Sequence, residues 1–201
     1  MQKDSLNILT NGFYQRSNVL EVAKDLLGKV LCTEIDGLLC KGKIVEVEAY
    51  SGTNDKACHA HNGRRTARTE VMYAPGGCAY IYLCYGIHHL FNVVTNTEGK
   101  ADAVLIRALE PMVGQGTMRK RLSSNNNKLT NGPGILSKSM GIKTKQTGSL
   151  LYRAPIWIED SEPIANEWIT ESTRIGVEYA EEDAQLPWRF YIKGNLWVSR
   201  K

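Results

Sequence analysis

Alternation of apolar and polar residues is strongest between Lys29 and Tyr50. Two β-patterned runs, Lys29 to Ile35 and Leu38 to Tyr50, are joined there by Asp36-Gly37, a dipeptide suited to a two-residue hairpin turn. Ahead of them, Val19, Leu20, Val22, Ala23, Leu26 and Leu27 recur at helical spacing. Ser17-Asn18 supplies an N-cap, Glu21 assists it and Gly28 suits the end. Downstream, AYIYLCYGIHHLFNVVT predicts two strands turning near Tyr85-Gly86, and ADAVLIRALE predicts a further strand. Pro111 suits the first turn of a helix running through Met118 and Leu122, and Asn131-Gly132-Pro133-Gly134 leads into a short helix, Ile135 to Met140, closed by Gly141. APIWIED, TRIGVEY, WRFYIKG and LWVS read as strands. Residues 51 to 78 read as an irregular connection with a short helix near Thr66 to Tyr73, and residues 123 to 128 as a mobile polar loop. Without an internal repeat or a steady βαβ rhythm, the pattern predicts an α+β, mixed α/β fold: a largely antiparallel sheet with flanking helices.

At 201 residues the chain suits one domain spanning 1–201. No apolar run approaches the roughly 20 residues that cross a bilayer, so no membrane association is expected. The first residues lack a basic segment followed by a long apolar stretch, which argues against secretion. Cytoplasmic residence is expected, or nuclear if the source is eukaryotic. Five cysteines without a CxxC pair fit reduced thiols in a reducing compartment. The net charge of +4 says little alone, but its placement says more. No Asp or Glu occurs between Glu110 and Glu159, whereas Arg119, Lys120, Arg121, Lys128, Lys138, Lys143, Lys145 and Arg153 do. With Arg64, Arg65 and Arg68 they suggest a positive side suited to a polyanion.

The stretch IVEVEAY, residues 44 to 50, sets Glu46, Glu48 and Tyr50 on one strand face and Val45, Val47 and Ala49 on the other. An edge strand with a solvated acidic face is one reading; a chemical face is the other. Spacing alone does not choose between Glu46 and Glu48, which lie about 7 Å apart on that face. His59 follows nine residues after Tyr50, and Tyr80, Tyr82 and Tyr85 follow in YIYLCYG, the last at a turn tip where it could act as a wedge. Two alternatives stand beside a carboxylate-driven enzyme. One is a metallohydrolase using Glu46, Glu48, His59, His61 and Cys58, His88 or His89, although no HxxxH or CxxC spacing supports it. The other is a non-enzymatic nucleic-acid binder, which has little reason to set Glu48 beside stacking aromatics.

Eight motifs in order resemble the alkyladenine, or methylpurine, DNA glycosylases. They are IVEVEAY, D-x-A-x-H from Asp55 to His59, R-x-T-x-R from Arg64 to Arg68, YIYLCYGIHHLFNVV, VLIRALEP, NGPG, RIGV and RFYIKGNLWVS. The resemblance runs from about Val19 to Ser199. It implies a single compact domain around a curved antiparallel sheet with a protruding hairpin, no metal and no organic cofactor. It also implies a monomer acting on double-stranded DNA that contains damaged purines. Glu48 resembles the general base that activates water; Arg107 and the backbone carbonyl of Ile175 resemble the groups holding that water. Tyr50, His59 and Tyr82 are similar to the walls of the base pocket, and Asn92 to the residue that crowds out guanine. Tyr85 resembles the side chain inserted into the duplex, and Arg64, Thr66 and Arg68 are placed near DNA. Ala67, Thr69 and Ile87 depart from the family's usual proline, asparagine and methionine.

Overall fold

The computed structural model describes residues 7–123 and 128–200. A single turn, α1 (Asn11–Tyr14), was not foreseen and buries Tyr14. Helix α2 (Val19–Leu26) forms as the pattern predicts. The Asn18 side-chain oxygen accepts from the N–H of Leu20 at 3.0 Å and Glu21 at 3.4 Å, meeting two donors that the first turn leaves free. Its stripe of Val19, Val22, Ala23 and Leu26 is buried.

Strands β1 (Val30–Ile35) and β2 (Leu38–Tyr50) form the predicted hairpin. Asp36 and Gly37 both take positive φ, 57° and 71°, as the tight turn requires. β3 (Ala79–Cys84) and β4 (His88–Thr95) form the second hairpin, and β5 (Asp102–Val113) lies between β4 and β2. Later strands are β6 (Tyr152–Arg153), β7 (Ile156–Glu159), β8 (Ile169–Ser172) and β9 (Arg189–Ile192). The main order is β3-β4-β5-β2-β1-β7-β6, with β9 joining β2 and carrying β8. Every strand pairing is antiparallel. β2 is therefore central, and the reading as an edge strand is overturned. The sheet carries α2 against β2 and β5, and α4 (Pro133–Met140) against β4 and β5. The main core runs from Leu9 and Tyr14 through Leu26, Val47, Ala49, Phe91, Ile106 and Leu109 to Phe190.

Four expected elements came out differently. Pro111 sits inside β5 opposite Gly42, where a register irregularity accommodates a residue that cannot donate to the ladder. The helix α3 (Gln115–Leu122) starts only after Gly114, whose φ of 82° and close approach to the Leu39 carbonyl require glycine. The expected helix near Thr66 to Tyr73 reduces to one 3-10 turn, Glu70–Tyr73. TRIGVEY and LWVS are not strands: the Ile175 and Ser199 N–H groups bond instead to the carboxylates of Glu48 and Glu46. Most of the expected polar loop at 123 to 128 lies outside the described residues.

Replacing Asn18 with alanine removes the α2 cap and should cost about 1 kcal/mol. In a thermal melt this is a drop of roughly 2–4 °C for a chain of this size.

Candidate active site

Glu46 and Glu48 have no solvent exposure. A buried carboxylate must be matched by donors, and both are. Between β2 and β5, the pairs Ile44–Leu109 and Val47–Ile106 keep one register, but Glu46 is offset onto Ala108. Val45 and Arg107 are left without a partner across the ladder. At this irregularity the Arg107 guanidinium spans both carboxylates, with Nε 3.1 Å from Glu46 Oε1 and Nη1 3.2 Å from Glu48 Oε2. Burial works against the charge of Arg107, but Glu48 and Glu46 outweigh it and raise its pKa further. Glu46 also accepts from Arg189 Nη1 at 3.0 Å, the Ser199 N–H at 2.6 Å and the Ser199 hydroxyl at 2.9 Å. Glu48 instead accepts from the Tyr50 hydroxyl at 2.7 Å and the Ile175 N–H at 2.8 Å. Burial, then the neighbouring Glu48, holds the Tyr50 phenol well above its usual pKa, so it remains a donor.

Tyr50, Arg107 and Ile175 screen Glu48 from a cavity of about 220 Å³, which they line with His59, Tyr82 and Asn92. The base-pocket residues expected from the sequence thus meet at one concavity. The two glutamates have different surroundings: Glu48 adjoins the cavity through Tyr50, whereas Glu46 faces Arg189 and Ser199. His59 and Tyr82 meet edge to face with centroids 4.7 Å apart. The His59 Nδ1 lies 2.8 Å from the Tyr80 hydroxyl. Burial first, then the cations Arg68 and Arg64, lower the His59 pKa to about 4. Asn92 donates its amide to the carbonyls of Tyr80 at 3.1 Å and Leu90 at 3.3 Å, which fixes the side chain at the cavity wall.

Tyr85 stands at the tip of the β3–β4 hairpin at 91% exposure and also lines the cavity mouth. Arg64, Thr66 and Arg68 lie on an exposed segment beside the pocket. Thr66 exchanges hydrogen bonds with Thr69 and shapes that segment locally. On the far side of the hairpin, His88, His89, Lys138, Lys143 and Lys145 line a cleft that also includes Ile87. Arg121 lines the same cleft, where it also donates to the carbonyls of Ser139 and Ile35.

Sequence reasoning quoted Asp55 and Arg174 in motifs without giving them a task. They form a fully buried fork, with Nη1–Oδ2 at 2.5 Å and Nη2–Oδ1 at 2.8 Å. The Arg174 guanidinium lies 4.9 Å from the Tyr50 ring centre and so supports the pocket wall from behind. A buried acid in one motif and an arginine in another were the available signal, but only folding shows that they meet. Among the described residues no three His, Cys, Asp or Glu side chains are grouped to hold a metal ion, so the metallohydrolase ligands are not brought together.

The site thus sets two buried carboxylates, bridged by Arg107, behind an aromatic cavity. A family model described as methylpurine-DNA glycosylase matches residues 12–196, and the chain belongs to that family of enzymes cleaving N-glycosyl bonds. Three relatives share the printed name "Putative 3-methyladenine DNA glycosylase". That of Clostridium botulinum is 47% identical over 204 residues, covering 96% of this chain and 100% of the relative. That of Clostridium acetobutylicum is 46% identical (95% and 97% covered), and that of Bacillus cereus strain B4264 is 45% identical (94% and 97% covered).

The low pKa of His59 carries a stability consequence. Between about pH 4 and 6.5 the unfolded chain binds a proton at this ring that the folded chain refuses. Acidification through that window therefore weakens the fold. Urea unfolding of His59→Gln should lose less stability between pH 6.5 and 4.5 than unfolding of the wild type.

Proposed function

We propose that this chain excises alkylated purines, of the 3-methyladenine type, from duplex DNA as a monofunctional glycosylase in base excision repair. The observation that carries the reading is the Glu48 carboxylate, withdrawn from solvent and bonded to Tyr50 at the back of a cavity walled by aromatic rings. A base inside a duplex must leave its stack before its glycosidic bond is reached, at a cost of a few kcal/mol, least for a damaged base. Tyr85 fills the vacated space. Tyr50 and Tyr82 receive the base, and stacking returns roughly 1–3 kcal/mol per base. Alkylation at N3 or N7 gives the purine a positive charge, which favours aromatic faces and makes it a good leaving group.

What remains on the sugar is an oxocarbenium-like centre that needs a nucleophile. A carboxylate offers about four lone-pair positions. Tyr50 and Ile175 donate to Glu48 and Arg107 pairs with it, so the water that gives up its proton enters from the cavity between these groups. Arg107 and the Ile175 carbonyl hold that water, and Asn92 crowds the amino group of guanine. The product is a free base and an abasic site. Among the described residues no lysine lines the cavity, so neither a Schiff base nor strand cleavage is part of the proposed reaction. Arg64, Thr66 and Arg68 and the basic cleft flank the hairpin where a duplex would lie. The protein acts as a monomer in the bacterial cytoplasm, beside the nucleoid. No helix among the described residues is long and apolar enough to cross a membrane.

Incubation with methylated duplex DNA, followed by analysis of released bases and abasic sites, tests the reading. Glu48→Gln should slow base release by roughly 10²–10⁴-fold while keeping lesion binding. Equal loss of binding would remove Glu48 from the chemistry. Tyr85→Ala should weaken binding to lesion duplex by roughly 5- to 150-fold, the equivalent of one lost stacking contact. Unchanged affinity would remove its wedge role.

A further inference from the structure

We propose that Arg68 is a specificity-determining positioning residue: its guanidinium, laid across His59 and Tyr82 from outside the cavity, keeps the positive charge of this wall off its inner face, so that the wall admits a purine bearing positive charge. The inference rests on the glycosylase reading and extends it to how the pocket selects by charge. Arg68 Nη2 lies 3.3 Å from His59 Nδ1 and 3.1 Å from Nε2, so the cation bears on the whole ring and not on one lone pair. Arg68 Nε lies 3.3 Å from the Tyr80 hydroxyl, and Cζ stands 4.8 Å from the centre of the Tyr82 ring. Three contacts thus hold an exposed arginine in one place. The Thr66–Thr69 hydrogen bonds and the Arg65–Glu70 pair fix the segment that carries it.

The placement of the two groups decides the argument. His59 lines the cavity; Arg68 does not. A charge on Arg68 stands behind the wall and is screened by water, whereas a charge on His59 would stand in the wall beside the base. Like charges that close, with little water between them, repel more strongly than charges separated by solvent. Holding the cation on Arg68 therefore moves repulsion out of the pocket. The groups facing His59 are Tyr80 and Tyr82 from β3, Cys58, Lys56 and His61 from its own segment, Arg64 and Arg68 beyond it, and Tyr179 from the opposite wall. No carboxylate is among them to favour a protonated ring. Burial is the larger cause of the neutral ring, and Arg68 adds to it.

The test uses Arg68→Gln, which keeps amide donors and removes the charge. Two measurements are made on the full chain: an NMR titration of the His59 imidazole, and release of 3-methyladenine from methylated duplex DNA at pH 5 and pH 7.5. In the wild type, His59 should stay neutral down to about pH 4. In Arg68→Gln its midpoint should rise, with burial still holding it below the ordinary value, and release relative to wild type should fall further at pH 5 than at pH 7.5. An unmoved midpoint overturns the inference. So does a relative rate that is equally reduced at both pH values, the mark of a residue that only holds a phosphate. Wild-type protein that frees no base at either pH overturns the glycosylase reading, and this inference falls with it.

Discussion

Two carboxylates withdrawn from water on one strand are the constraint that orders the rest of this structure. Neither Glu46 nor Glu48 tolerates burial without donors on several sides, and β2 and β5 alone cannot supply them. Arg107 stands at the irregularity of the β2–β5 ladder and reaches both. Arg189 comes from β9, Ser199 from the residues after it and Ile175 from the segment after β8. The C-terminal third is thus drawn over β2 by the hydrogen-bonding demand of two side chains. Removing one partner would strand a charge in the interior, so the cluster behaves as a unit.

The same demand explains what could be seen in the sequence and what could not. Helix α2 and both hairpins announce themselves locally, through Asn18, Asp36-Gly37 and Tyr85-Gly86. TRIGVEY and LWVS have strand-like composition, yet their backbone donors are taken by carboxylates more than a hundred residues away. Local pattern carries no sign of that. Likewise spacing put Glu46 and Glu48 on one face without distinguishing them, and only the resemblance pointed to Glu48. Their different neighbours, Ser199 and Arg189 for one and Tyr50 for the other, belong to the fold. The Asp55–Arg174 fork was hidden for the same reason.

Cations are distributed around the cavity with a consistent geometry. Arg174 lies behind Tyr50, and Arg68 lies outside His59 and Tyr82. Both brace rings that line the cavity without lining it themselves. The interior surface is left to uncharged phenols, an imidazole and an amide, with Arg107 as the exception, and its charge is balanced by two glutamates. On the reading proposed above, a pocket so arranged would hold an electron-poor ring without adding positive potential of its own.

The β3–β4 tip closes with Ile87 N–H bonded to the Cys84 carbonyl at 3.1 Å, and with positive φ at Tyr85 and Gly86. A tyrosine is a poor choice for a left-handed position, where glycine or asparagine is at home. Its ring is aimed outward by a backbone already locked by the flanking strands. On the reading proposed above, the backbone freedom that a looser tip would lose on entering a helix of stacked bases is already given up when the polypeptide folds. The duplex would meet a hairpin end whose main chain is set in advance.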